Sequence, residues 1–149
     1  MERRLKTATL ALILGLAAAQ LIQPNTINPP VNPSRSVWND HGVNPKVAEV
    51  LRRACADCHS HETEWPWYSR ISPISWMVAR HVEDGRAKLN LSNWTPSQDQ
   101  MEEILDSVEK TKMPLSSYYL MHPKARLSEA DRAVLRAWVD GGATTVASN

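Results

Sequence analysis

Apolar residues recur at three- and four-residue spacing in four stretches of the chain, which predicts four α-helices. Each stretch opens with a residue that caps helix N-termini, and in three of them a proline follows at the first helical position. The predicted helices begin at Asn44-Pro45, Ser72-Pro73, Thr95-Pro96 and Ser128, and they end near Cys55, Gly85, Lys112 and Gly141-Gly142. No segment alternates apolar and polar residues as a strand does. The pattern therefore predicts an all-α fold.

The third and fourth predicted helices each have one distinctive face. In the third, Gln98 completes a capping box with Thr95, and the inner face carries Met101, Ile104, Leu105 and Val108. In the fourth, small residues recur at near-four spacing, at Ala130, Ala133, Ala137 and Gly141. Because small side chains let two helix backbones approach closely, we expect this face of the last helix to cross the first helix.

The first 23 residues have the pattern of an export signal. An apolar run from Thr7 to Ile22 follows a basic start made of Arg3, Arg4 and Lys6. Ala17-Ala18-Ala19 offers a cleavage site before Gln20. The run is shorter than the ~20 residues that comfortably span a bilayer, yet it continues past that site. An uncleaved membrane anchor is therefore the alternative, and either reading predicts a periplasmic domain outside the cytoplasmic membrane.

Prolines at four positions between residues 24 and 43 predict an extended linker. The predicted divisions are a signal or anchor at 1–23, the linker at 24–43, one helical domain at 44–142 and a tail at 143–149. The chain of 149 residues is long enough for one small domain. Its 17 basic and 16 acidic side chains form no basic stripe, which argues against binding to nucleic acid.

Both cysteines of the chain lie in Cys55-Ala56-Asp57-Cys58-His59, a C-x-x-C-H motif typical of covalent attachment of one c-type haem. Thiols three residues apart are about one helical turn from each other, so both can bond to vinyl groups on one porphyrin edge. His59 follows Cys55 by four residues and shares its helix face, so its imidazole can reach the iron as the proximal ligand. A thioredoxin-like motif would need a βαβ context, a zinc site would need two further ligands, and a plain disulfide would leave His59 unexplained.

The opposite axial position on the iron is open to several side chains, namely Met77, Met101, Met113, Met121, His41, His61, His81 and His122. His61 is too close to His59 in sequence to reach the other face. Met113 lies between a predicted helix end and Pro114, in a loop that can cover the distal side. We predict Met113 as the second metal ligand, which would raise the reduction potential. His81 is expected to be a hydrogen-bonded core histidine, with a role as one of two histidine ligands as the alternative.

A resemblance to a known family rests on a series of short runs. In the first half they are His59-Ser60-His61-Glu62-Thr63, Trp65-Pro66-Trp67-Tyr68-Ser69, Pro73, Ser75-Trp76, His81-Val82, Gly85-Arg86, Leu89-Asn90, Ser92 and Trp94. In the second half they are Met113-Pro114, Tyr118, His122-Pro123, Ala125-Arg126-Leu127-Ser128 and Trp138. Together they resemble the bacterial haem-binding domain family of small exported cytochromes, within a class I cytochrome c pattern, over roughly residues 27–140. Leu115 departs from the second proline that is common there.

The resemblance implies a cytochrome c-like fold around one haem, and further residues are candidates for its pocket. Arg86 is the best partner for a propionate, because a guanidinium pairs with a carboxylate in a bidentate way. Trp67, Tyr68 and Trp94 are candidate hydrogen-bond donors to propionates or walls of the pocket, and ordinary packing is the alternative for each.

Two functions are compatible with these features. The first is a non-enzymatic electron carrier that exchanges electrons with partner proteins and has no catalytic residues. The second is a haem-based sensor or a peroxidase-like enzyme with an open distal side. Ligation by Met113 would distinguish them, because a bound thioether blocks chemistry at the iron. We expect the carrier.

Overall fold

The computed structural model describes residues 1–95 and 97–146, with side chains described as far as Gly141. This part of the chain contains six α-helices and no strand, which confirms the all-α prediction. The helices are α1 (Glu2–Ala19), α2 (Pro45–Ala54), α3 (Ala56–His59), α4 (Ile74–Lys88), α5 (Gln98–Glu109) and α6 (Glu129–Val146). Short 3-10 turns join them at Pro33–Arg35, Val37–Asn39, Trp67–Arg70, Leu91–Asn93, Tyr118–Leu120 and Pro123–Ala125.

Two of the predicted helix starts are confirmed by their hydrogen bonds. The Asn44 side-chain oxygen accepts from the backbone N–H groups of Lys46 and Val47 at 3.0 and 3.1 Å. At the start of α6, the Asp131 N–H donates to the Ser128 hydroxyl at 3.1 Å, and the Ser128 N–H donates to the Asp131 carboxylate at 2.7 Å. This reciprocal pair is a capping box.

The other helix limits differ from the prediction. The cap of α5 is Ser97, whose hydroxyl accepts from the Gln100 N–H at 3.2 Å, whereas Thr95 was predicted and Pro96 lies outside the described residues. Helix α4 continues through Gly85 to Lys88. A glycine that caps the C-terminus of a helix has a positive φ, and the φ of Gly85 is not positive. Gly85 therefore lies inside the helix and not at its end. Helix α6 likewise runs past Gly141.

The core lies where α2, α5 and α6 meet. Its fully buried members include Val47 and Leu51 of α2 and Leu135 of α6, and the Trp94 and Trp138 rings stack at 6.0 Å. The alanines predicted to form the crossing face of α6 are exposed instead, at Ala130, Ala133 and Ala137. The predicted crossing face was wrong, because α6 packs on the core through its large apolar residues and not through its alanines.

The proline-rich segment predicted as a linker packs on the domain from Asn28 onward. Val37 is completely buried, and the Trp94 N–H donates to the Arg35 carbonyl at 2.7 Å. The Asn28 side-chain amide donates to the Thr63 carbonyl at 2.9 Å. An apolar residue within the segment thus draws it into the core, and it is not a free spacer.

Helix α1 stands apart from this core. None of its residues is buried. Immediately after α1, the Gln20 side chain donates to the Ser72 carbonyl at 3.2 Å, and the Trp76 indole N–H donates to the Ile22 carbonyl at 2.8 Å. Among the described residues, no helix has both the length and the apolar character needed to cross a membrane. The export function of the segment stays a prediction.

Candidate functional site

The two cysteines lie within a single turn at the junction of α2 and α3, with Cys55 between the two helices and Cys58 in α3. The Cys55 N–H donates to the Leu51 carbonyl at 2.9 Å, and the His59 N–H donates to the Cys55 carbonyl at 2.9 Å. The chain is therefore almost continuously helical through the motif, as its spacing predicts. Both cysteines are free and partly buried. Burial, reinforced by the neighbouring negative groups, raises the pKa of Cys55 to about 12 and that of Cys58 to about 11, so both are protonated thiols at neutral pH.

The His59 ring is held by a carbonyl from another part of the chain. Its Nδ1 lies 3.1 Å from the Leu89 carbonyl oxygen, immediately after α4. An N–H at Nδ1 donates to that oxygen, which leaves the Nε2 lone pair available to a metal. Burial lowers the pKa of His59, so the imidazole is in the neutral form that a metal ligand requires.

Gly85 sets how closely α4 approaches the motif. A Cβ at this position would lie 2.5 Å from the Cys58 carbonyl oxygen, closer than real Cβ contacts allow. The residue is a glycine for packing, not for ending a helix. This close approach also brings the end of α4, and with it Leu89, beside His59.

Arg86 joins the motif to two other segments. Its Nε donates to the Ser60 carbonyl at 2.7 Å. Its Nη2 donates to the Asn28 side-chain oxygen at 2.8 Å and to the Thr63 hydroxyl at 2.9 Å. Burial lowers the pKa of Arg86. The described contacts of Arg86 fix the loop after His59, and its pairing with a propionate stays a prediction.

The three predicted aromatic residues have different environments. Trp67 is 68% exposed and meets the partly buried Tyr68 edge to face, with ring centroids 5.7 Å apart. Burial, followed by the charge of Asp57, raises the pKa of Tyr68, so this ring lies near the motif. Trp94 is in the core, where its indole N–H donates to the Asp40 carboxylate at 2.8 Å. Trp94 is predicted either to contact the haem or to pack in the core, and its described contacts are packing contacts.

Met113 lies in the loop that follows α5. Helix α5 ends at Glu109, three residues before the predicted limit, and Thr111 turns the chain with a φ of 54°. The N–H of Met113 donates to the Ser107 carbonyl at 3.1 Å. Five residues farther on, the Tyr118 hydroxyl donates to the Asp57 carboxylate at 2.6 Å. Five residues span at most about 18 Å, so Met113 lies no farther than that from Tyr118. Tyr118 in turn contacts Asp57 of α3.

The structure also narrows the list of alternative ligands. Both ring nitrogens of His61 have partners, the Pro30 carbonyl at 3.0 Å and the Asn90 amide at 2.9 Å. Met101 is buried in the hydrophobic core. Met77 and Met121 are about half exposed.

Asp57 and Tyr118 are functional candidates that the sequence did not single out as a pair. A cavity of about 510 Å³ adjoins them, lined also by Arg53, Met121 and His122. Burial and the hydrogen bond to Asp57 raise the pKa of Tyr118, so its hydroxyl remains a donor. In the sequence, Asp57 stands out because it lies inside the motif, and Tyr118 because it is one of the residues that carry the family resemblance. Neither fact predicts a contact between them.

The side chains of the motif fit a covalently held haem. Two reduced thiols one turn apart match two thioether bonds, and a neutral imidazole oriented through Nδ1 matches an axial ligand. No cluster of three or more His, Cys, Asp or Glu side chains within the described ranges 1–95 and 97–146 is arranged to hold a metal ion by itself.

A family model covers most of the chain. Residues 14–141 match the family model described as "Haem-binding domain". No curated protein and no solved structure shows significant similarity to the chain.

Proposed function

The chain belongs to the haem-binding domain family, and from this premise we propose that it is a monohaem c-type cytochrome that carries single electrons. The observation that carries the proposal is the combination of two free thiols on one helical turn with a histidine whose Nδ1 is held by the Leu89 carbonyl at 3.1 Å. Cys55 and Cys58 would hold the porphyrin as thioethers, and Nε2 of His59 would bind the iron.

When bound, the haem supplies a one-electron iron couple. The residues around it set the potential and keep the iron ligated. The Leu89 carbonyl fixes the orientation of His59 and increases the basicity of its imidazole. Met113 would supply a second ligand to the iron, and its soft sulfur would favour the reduced state and raise the potential.

Arg86 has a supporting role in this proposal. Its contacts with Ser60 and Thr63 immobilise the loop after the motif, and its positive charge favours a propionate nearby. Tyr68 forms part of the wall of the haem pocket in this proposal. Because Arg86, Ser60 and Thr63 are at least partly buried and held by hydrogen bonds, they would move little when the charge of the iron changes.

The protein is proposed to be a carrier and not an enzyme, because a bound thioether leaves no position at the iron for a substrate. Its partners are other redox proteins that dock at the surface near the motif. The proposed location is the periplasm, with residues 1–23 acting as a signal or as an anchor.

Visible spectra of the purified protein with haem attached, in both oxidation states, test the ligation. From the class I resemblance we expect the weak far-red ferric band of an iron–methionine bond. We also expect slow and weak binding of carbon monoxide by the ferrous form. Rapid binding would contradict the carrier and favour the sensor or peroxidase-like enzyme.

The covalent attachment has its own test. Replacement of Cys55 or Cys58 by Ser should weaken or abolish haem staining on a denaturing gel, because a hydroxyl forms no thioether. If haem stays attached after both replacements, the c-type assignment is wrong.

A further inference from the structure

We propose that Asp57 and Tyr118 form a latch that positions the Met113 loop, residues 110–117, against α3, the short helix of the motif. The latch is the hydrogen bond from the Tyr118 hydroxyl to the Asp57 carboxylate, at 2.6 Å, between residues 61 positions apart in the chain. This inference rests on the proposed ligation by Met113. Tyr118 and Asp57 act on the iron only through that ligand and are positioning residues.

Asp57 is a fixed end for the latch. One carboxylate oxygen of Asp57 accepts from the Glu64 N–H at 3.0 Å, while the other accepts from Tyr118. Its backbone carbonyl accepts from the hydroxyl of Thr63 at 2.7 Å, and Thr63 is only 6% exposed. Because Glu64 and Thr63 hold Asp57 independently of Tyr118, Asp57 stays in place when the loop moves.

The Tyr118 end is equally constrained. Its ring stacks on His122 with centroids 4.0 Å apart and an interplanar angle of 9°. The His122 N–H donates to the Tyr118 carbonyl at 3.0 Å, and the Tyr118 N–H donates to the Leu115 carbonyl at 2.9 Å. A chain of short-range contacts therefore connects the latch to Leu115, two residues from Met113.

The Met113 loop is thus fixed on both sides. On one side, the Met113 N–H donates to the Ser107 carbonyl at the end of α5. On the other side is the latch. If the latch is removed, the loop loses its hydrogen bond to Asp57 of the motif, and the methionine sulfur leaves the iron more often. An added ligand that competes with Met113 should then bind more tightly.

The test is a titration of the ferric protein, with its haem attached, by imidazole. Tyr118→Phe keeps the ring and its stacking and removes only the hydroxyl. We expect Tyr118→Phe to increase the affinity for imidazole roughly tenfold, because the variant loses a hydrogen bond to a charged acceptor. The iron–methionine band should also be weaker in this variant. Tyr119→Phe is the matched control, because the Tyr119 ring lies under the Arg126 guanidinium, at 5.2 Å. The control should leave both quantities unchanged.

Two further variants separate the possible failures. In Met113→Ala, the imidazole affinity should rise and adding Tyr118→Phe should raise it no further, because the latch acts through the methionine. If Met113→Ala changes neither the affinity nor the spectrum, the proposed ligand is wrong. If Met113→Ala raises the affinity and Tyr118→Phe does not, the latch is wrong and the ligation stands. Should Tyr118→Phe fail to fold with haem, the same comparison with Asp57→Ala decides, because alanine removes the acceptor of the Tyr118 hydroxyl.

Discussion

Single atoms determine the geometry of this site. The absence of a Cβ at Gly85 lets α4 approach the motif, and one carbonyl, that of Leu89, orients His59. Neither contact contributes a large hydrophobic surface. Each decides whether the residues proposed to hold the haem point in the required direction.

Gly85→Ala should therefore destabilise the protein. The added Cβ would lie 2.5 Å from the Cys58 carbonyl oxygen, a backbone atom that cannot move aside cheaply. We expect a loss of about 1–3 kcal/mol in the free energy of unfolding, as overpacking causes elsewhere. Gly141→Ala is the matched control, since a Cβ there has no neighbour within 4 Å. Urea unfolding of both variants measures the difference, and equal stabilities would show that the approach of α4 is not tight.

Met113→Ala should lower the reduction potential and open the iron to carbon monoxide. The physical reason is the loss of a soft ligand that favours ferrous iron. Redox titration and the rate of carbon monoxide binding measure the two effects.

Met121→Ala and His81→Ala are the controls for this substitution. Met121 is 49% exposed and lines the cavity beside the motif, so it is the nearest competitor in the same loop region. If one of these variants loses the native spectrum while Met113→Ala keeps it, the ligand has been assigned to the wrong residue.

Between elements, an ion pair joins α2 to α6. The Arg53 guanidinium lies 2.8 Å from the Asp131 carboxylate and also donates to the Arg126 carbonyl at 3.0 Å. Burial alone would raise the pKa of Asp131, but hydrogen bonds from Ser128 and Arg53 together lower it below its usual 3.8. The pair thus connects α2, the helix immediately before the motif, to the cap of the last helix.

The stability provided by Asp131 should depend on pH. A carboxyl whose pKa is lowered by folding stabilises the protein fully above its unfolded pKa, and this is lost as the pH falls through the folded pKa. Asp131→Asn should therefore cost about 1–2 kcal/mol at pH 7, and the difference from the wild type should shrink below pH 3.8.

Urea unfolding at several pH values measures the dependence on Asp131. Asp84→Asn is the control, because Asp84 forms an exposed pair with Arg80 at 3.5 Å. Its cost should stay below about 0.5 kcal/mol. A difference for Asp131→Asn that does not vary with pH would contradict the role of the ion pair.

At the scale of the whole molecule, the N-terminal helix is distinct from the rest. Its side chains are on the surface, while the segment from Asn28 onward packs on the domain. The hydrogen bonds from Gln20 and Trp76 lie at the junction between these two parts. The junction also contains the predicted cleavage site before Gln20.

Cell fractionation and sequencing of the mature N-terminus should distinguish a signal from an anchor. A retained helix predicts the full N-terminus in the membrane fraction, because exposed Leu and Ile side chains favour a lipid environment. An N-terminus at Gln20 in the soluble periplasmic fraction would end the anchor hypothesis. In that case Gln20 would begin the mature chain and could still reach Ser72.

The amino-acid sequence determined what depends on near neighbours. Helix type follows from spacing within four residues, and the relation of Cys55, Cys58 and His59 follows from the helical turn itself. The caps at Asn44 and Ser128 were predictable for the same reason, since a cap bonds to residues two or three positions away.

The tertiary structure decided which distant groups meet. The Leu89 carbonyl reaches His59 across 30 positions, Asp40 takes the Trp94 indole N–H across 54, and Asp57 takes the Tyr118 hydroxyl across 61. None of these pairs follows from periodicity, because each depends on how closely two elements pack and not on spacing along one of them. Gly85 shows why: the same residue suits a helix end or a close helix contact, and only the neighbouring Cys58 carbonyl distinguishes the two.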